Sequence, residues 1–281
     1  MSDLVRPFRW DIKRREQLGS LAATEPPPTP PRFEDDLITA CAGVLGLAGD
    51  SDLVFVGRSP DALFHFLSGA LLTTRFANRL SSLNLALRHQ WISSEAVDVI
   101  EPYFDELELT PYGLLERSRP AALVDVVDTG GTYGDIVTLL HSWCRRDGLD
   151  WRAVAARVRL VGVTWRMKAG PKTRRWQQQA DWTHLLPRGA IKNVSAPQDF
   201  VSYLAAEQPK TTESFTPDAW WDDDVARPLR SPEAREGLAL ALHLFDLGSS
   251  KEGRARLARA LADRPAMRDP WFRSLALQLK R

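Results

Sequence analysis

The sequence predicts an α/β protein built on a central parallel sheet flanked by helices, with a helical C-terminal appendage. Two observations predict the sheet. Short, almost wholly apolar runs alternate with stretches of helical periodicity between Phe33 and Trp165, and strands alternating with helices imply parallel pairing. One of those runs, "DLVFVG", is also bounded by Gly, as buried strands are. A third observation predicts the appendage: from about residue 228 the pattern is helical to Arg281.

The elements follow in order. Residues 1–32 form an arm ending in "TEPPPTPP" (24–31), a segment rich enough in proline to be extended and partly stiff. It reads as a linker or a surface arm, with docking to a proline-binding module as the lesser alternative. "FEDDLITACAGVLGLAG" has helical periodicity and Gly near its end. "DLVFVG" (52–57) is a buried strand, and "SPDALFHFLSGALL" (59–72) a helix that Ser59 can cap and Pro60 can open. "LNLAL" (83–87) and "PAALVDVV" (120–127) read as strands; the acidic span between them carries no assigned motif. "TYGDIVTLLHSWCRR" (132–146) is a helix with basic residues at its C-terminal end, where the dipole favours them. "DWRAVAARV" (150–158) is a short helix and "RLVGVTW" (159–165) a strand. The next stretch, "RMKAGPKTRRWQQQADWTHLLPRGAIKN" (166–193), is polar, basic and aromatic and reads as a loop over the sheet edge; from about residue 228 come helices parted by "GSS" (248–250).

Composition bounds the function. The chain has 281 residues and a formal net charge of +1, so no global field points to nucleic acid or membrane. Cys41 and Cys144 have no metal-ligand or redox spacing, and a reduced state is expected. His65, His89, His141, His184 and His243 show no metal or triad spacing. The N-terminus lacks the apolar core of a signal peptide and no run is long enough to span a bilayer, which predicts a cytoplasmic protein. Nothing in the sequence argues against a homodimer.

The chemistry concentrates in "VDVVDTGGTYGD" (124–135), a strand, a tight turn and a helix start. Gly130 and Gly131 permit a backbone whose N–H groups converge on an anion at the positive end of the helix, and Thr129 and Thr132 add hydroxyls. Without a lysine this is a monophosphate cradle and not a P-loop. Asp125 and Asp128 beside a phosphate make sense as ligands of sugar hydroxyls, of magnesium or of a proton on a base. The plain alternative is a helix-capping turn, with Asp128 and Thr129 as cap residues.

The segment resembles the signature of the type I phosphoribosyltransferases, most closely the hypoxanthine-guanine branch, in which Asp, two apolar residues and Asp-Thr-Gly follow one another. The resemblance implies that Thr129, Gly130, Gly131 and Thr132 bind the 5-phosphate of phosphoribosyl pyrophosphate. It implies that Asp125 holds the ribose hydroxyls, with magnesium, and that Asp128 faces the base as catalytic acid or base. "LVFVGRSPDALFHFL" resembles the family's pyrophosphate loop, which carries over Gly57, Arg58 and Ser59. Residues 33–227 would then be the phosphoribosyltransferase-like domain, 166–227 a hood over the base, and 228–281 the appendage. Trp165 would stack on the base, with Trp176 and Trp182 as further candidates and Lys168, Lys172, Arg174 and Arg175 nearby; the plainer alternative, and the preferred one, is that these tryptophans bury apolar surface between sheet and appendage. Arg75, Arg79 and Arg88 are lesser candidates for substrate charge. The resemblance covers about residues 50–165. It departs from the family at Val124, where a second acid is usual, and in the span that should hold the mobile catalytic loop.

Three functions remain open on these residues: transfer of a phosphoribosyl group to a base or other nucleophile, non-catalytic sensing of phosphoribosyl pyrophosphate or a nucleotide, and lysis or hydrolysis of a nucleotide-like substrate. A fold alone does not choose among them.

Overall fold

The computed structural model describes residues 5–87, 94–167 and 175–281. The expected strand–helix alternation forms one five-stranded sheet, all parallel, in the order β2-β1-β3-β4-β5. The strands are β1 (Asp52–Val56), β2 (Leu80–Leu83), β3 (Ala121–Val126), β4 (Val158–Trp165) and β5 (Ile191–Ala196). The helices are α1 (Phe33–Ala48), α2 (Asp61–Ala70), α3 (Ser94–Glu106), α4 (Pro111–Glu116), α5 (Gly131–Arg146), α6 (Trp151–Ala155), α7 (Gln198–Ser202), α8 (Pro232–Ser249), α9 (Lys251–Ala262) and α10 (Pro270–Leu279).

The order sets which face each helix covers. From β1 the chain steps outward to β2 through α2; from β3 it steps the other way to β4 through α5 and α6. Crossovers of one hand running in opposite directions lie on opposite faces. Accordingly Phe55, Val124, Val161 and Val163 share a core with α1, α2 and α7 to α10. Val54, Leu123 and Leu160 share a second core with α3 to α6. Both faces of the central strands are covered, which is why they read as continuous apolar runs.

Two strands differ from the sequence reading. β2 begins earlier than expected and ends at Leu83, so most of "LNLAL" lies beyond the sheet, where the Asn84 amide donates to the Tyr103 hydroxyl at 2.9 Å. Ser81 and Ser82 disguise this edge strand. β5 begins in the last residues of the stretch read as loop; it too is an edge strand, and Lys192, Asn193 and Ser195 interrupt any apolar run. Parallel pairing to β4 specifies it, not its own pattern.

The helices expected as an appendage are a layer of the fold. Leu244, Leu257, Leu261, Phe272, Leu275 and Leu279 sit in the same core as the sheet residues. α8 crosses α2 with almost no gap: a Cβ on Gly69 would lie 2.0 Å from the Phe245 carbonyl oxygen, and one on Gly248 would lie 2.1 Å from that of Phe66. The N-terminal arm lies across α8, with Ile12 and Leu18 buried against Leu238, Ala241, Leu242 and Phe245. Cys41 and Cys144 are both buried and unbridged. Among the described residues no helix is long and apolar enough to cross a membrane.

The crossing gives a direct test of the shared core. Gly248→Ala should lower the stability to urea by about 1–3 kcal/mol, because the two backbones must part. A chain ended at residue 227 should fail to give a cooperative unfolding transition. A truncated chain that melts cooperatively would make the last three helices a separate unit.

Candidate functional site

In this strand order the chain reverses direction between β1 and β3, and in open parallel sheets such a reversal is where a crevice forms beyond the carboxyl ends of the strands. They pair in register from Asp52↔Ala121 to Phe55↔Val124. Gly57–Ser59 and Asp128–Thr132 therefore leave the sheet on neighbouring strands, at nearly the same level.

The second loop is built by backbone. Gly130 is left-handed at φ +82° and is the N-cap of α5; among the described residues no side chain caps this helix. Asp128 and Thr129 are exposed, so the capping-turn alternative is not the one adopted. The first intrahelical bond is from the Gly134 amide to the Gly130 carbonyl at 3.0 Å. The 16-residue helix thus starts with its early amides at the sheet edge, a geometry that suits an anion.

Two tryptophans brace this loop. A Cβ on Gly130 would stand 2.3 Å from the Trp176 ring, and one on Gly134 would stand 2.5 Å from the Trp182 indole nitrogen. The two indoles lie 6.0 Å apart and the Tyr133 ring 5.9 Å from Trp176. Trp176 also donates to Asn193 on β5 at 2.8 Å. At Trp176 these contacts favour the burial alternative over stacking on a base: it is buried, 7% exposed, and belongs to the core. Trp165 is 41% exposed at the end of β4 and remains presented.

Asp125 sits beneath the loop. It is 9% exposed and paired in register with Gly162 of β4, and it accepts from the Val126 amide at 2.7 Å. Burial pushes its carboxyl up to about 8, against a smaller opposing effect of that amide. Val124 points to the opposite face, into the core with α1 and α2.

The first loop turns at Gly57, φ +71°, whose amide donates to the Leu83 carbonyl at 2.8 Å. Arg58 and Ser59 are half-buried. The Arg58 guanidinium donates to the Thr212 carbonyl at 2.9 Å, and Lys210 reaches the Arg58 carbonyl at 3.4 Å and that of Leu204 at 2.9 Å. Thr212 and Lys210 lie on a strap that crosses the sheet's upper edge. The Lys210 backbone lies against Gly237 of α8 on one face, while Phe215 and Trp220 are buried in the core of the other. On the way, the Ala86 amide donates to the Phe215 carbonyl at 3.0 Å. Sequence reading missed this strap, whose only local signal is a cluster of polar residues. It also missed Arg9 of the N-terminal arm, which pairs with Asp61 at 2.5 Å and donates to Asn84 at 2.9 Å.

The remaining candidates lie elsewhere. Arg79 pairs with Asp50, and Arg75 is exposed with its guanidinium over Phe76. Arg88, His89, Lys168, Lys172 and Arg174 lie outside the described residues. No group of three or more His, Cys, Asp or Glu among the described residues could hold a metal ion. Comparison of the chain with protein-family models, curated proteins and solved structures finds no match.

Asp125 makes the stability depend on pH with a definite sign. Its folded value of about 8 lies above the usual carboxylate value near 4, so between them the folded state binds the extra proton. Its contribution is intact at low pH, is lost as pH rises from about 4, and is wholly lost above about 8. Asp125→Asn keeps the acceptor but cannot ionise. Relative to wild type, its Tm should rise from about pH 4 to about pH 8 and level off above that, by an amount worth a few kcal/mol at the plateau. A difference in Tm that stays constant across this range would mean that the carboxyl is not held protonated.

Proposed function

We propose that the crevice at β1 and β3 binds phosphoribosyl pyrophosphate and that the protein transfers its phosphoribosyl group to a base or other nucleophile, releasing pyrophosphate. The observation that supports this most is the placement of the two glycine-turned loops at one level on adjacent parallel strands, each at the start of a helix that no side chain caps among the described residues. In this reading Thr129, Gly130, Gly131 and Thr132 hold the 5-phosphate at the N-terminus of α5. Gly57, Arg58 and Ser59 hold the pyrophosphate. The anomeric carbon then lies between the loops, and the amides of the first loop with Arg58 stabilise the leaving group as charge develops on it. Asp128, exposed at the rim, binds or deprotonates the nucleophile. Trp165 offers an indole face to a flat base.

Magnesium in such chemistry neutralises charge on the leaving pyrophosphate. Of the residues present, Asp128 fits as its carboxylate. Asp125 does not: it is buried, protonated at neutral pH and bonded to Val126. We therefore assign Asp125 to the support of the loop and not to the metal or the ribose.

A second reading, binding without turnover, is favoured by Val124. The position where the family carries a further acid has its side chain in the core, on the face away from Asp125. Release of pyrophosphate in the presence of a panel of bases separates the two readings.

Calorimetry of phosphoribosyl pyrophosphate with magnesium tests the site common to both. Gly130→Val, which meets Trp176, and Asp128→Asn should each weaken binding tenfold or more, while Asp125→Asn should hold it within about threefold. A folded wild type that binds nothing would remove both readings.

A further inference from the structure

We propose that Lys210, carried on the strap, is a second anion-binding cation of the β1 loop and holds the pyrophosphate group together with Gly57–Ser59. This rests on the proposed function and adds to it a residue about 150 positions from the loop, outside the stretch that resembles the family.

Three observations carry it. First, Lys210 is part-buried and directed at the loop, with its ammonium on the carbonyls of Arg58 and Leu204. Carbonyls orient an ammonium but leave its charge uncompensated, and a charge withdrawn from water needs a counter-charge. Second, the acids that face it supply only part of one. Asp61 on α2 is paired with Arg9, and Glu233 on α8 makes no ion pair with Lys210 among the described residues. Arg58 faces it as well, so two cations meet where α2 begins. Third, the same strap carries polar groups without partners: the hydroxyls of Thr212, 2% exposed, and of Ser214 are buried and make no hydrogen bond among the described residues. Two cations, one of them on a strap that also carries these buried hydroxyls, suit a polyanion with several terminal oxygens.

Burial together with Arg58 takes the Lys210 ammonium down to about 8, and Asp61 and Glu233 offset part of this. A bound polyanion favours the charged form, so binding at pH 8.5 should draw in protons.

The experiment titrates inorganic pyrophosphate with magnesium, and separately ribose 5-phosphate, into the full chain by calorimetry. Measurements at pH 8.5 use two buffers of different ionisation enthalpy. Lys210→Met should weaken pyrophosphate binding at least tenfold, leave ribose 5-phosphate within twofold, and take up fewer protons than wild type, the probe's own titration cancelling in the comparison. Thr212→Val, nearly isosteric, should weaken pyrophosphate severalfold and serves if Lys210→Met does not fold. Pyrophosphate bound equally by wild type and both variants, or with equal proton uptake, overturns the inference and leaves the function standing. Wild type that binds ribose 5-phosphate but no pyrophosphate does the same. Wild type that binds neither overturns both. Lys210-dependent pyrophosphate binding without ribose 5-phosphate binding keeps this site and removes the sugar-phosphate reading.

Discussion

The parallel pairing of β1 with β3 fixes the level at which two loops leave the sheet, and the rest of the upper edge is arranged around that level. The pairing is also where the chain reverses its direction of travel across the sheet. Right-handed crossovers then send α2 to one face and α5 to the other, and their first turns flank a common crevice. Each loop is turned by a glycine with positive φ, Gly57 or Gly130, which a side chain would strain. The crevice is a product of topology first and of side chains second.

What surrounds the two loops differs, and the difference is electrostatic. Beneath the Gly130 loop lies a carboxyl kept neutral by burial, under an aromatic bracket of Tyr133, Trp176 and Trp182. That side offers amides and hydroxyls, with the exposed Asp128 carboxyl at its rim. Beside the Gly57 loop lie Arg58 and Lys210, with the nearby acid Asp61 already engaged by Arg9.

The C-terminal helices hold this arrangement in place because they cannot bury their apolar stripes alone. α8 lies on α2 at glycine-to-backbone distance, and α2 carries the Gly57 loop at its N-terminus. The strap leaves the α8 side beside Lys210 and the arm returns to it through Ile12 and Leu18. Residues far apart in the chain thereby bear on one loop.

The sequence by itself determined the parallel sheet, the central strands and both glycine loops, because each rests on local causes: a continuous apolar run, a Gly that permits one backbone angle, a helical period of a few residues. "DLVFVG" and "VDVVDTGGT" needed no partner to be read. Tertiary structure alone decided the rest. β2 and β5 are edge strands, with one side of the ladder unpaired, so polar residues are tolerated and the apolar signal is absent. Trp176 looks the same in sequence whether it stacks on a ligand or braces Gly130; only the segment it meets distinguishes the two. Asp125 and Asp128 are both acids of one motif, yet one is buried and protonated and the other exposed, because strand pleat and α5 packing separate them by environment and not by type. Local sequence encodes backbone conformation over a few residues; burial, charge state and partner depend on surfaces that meet only after folding.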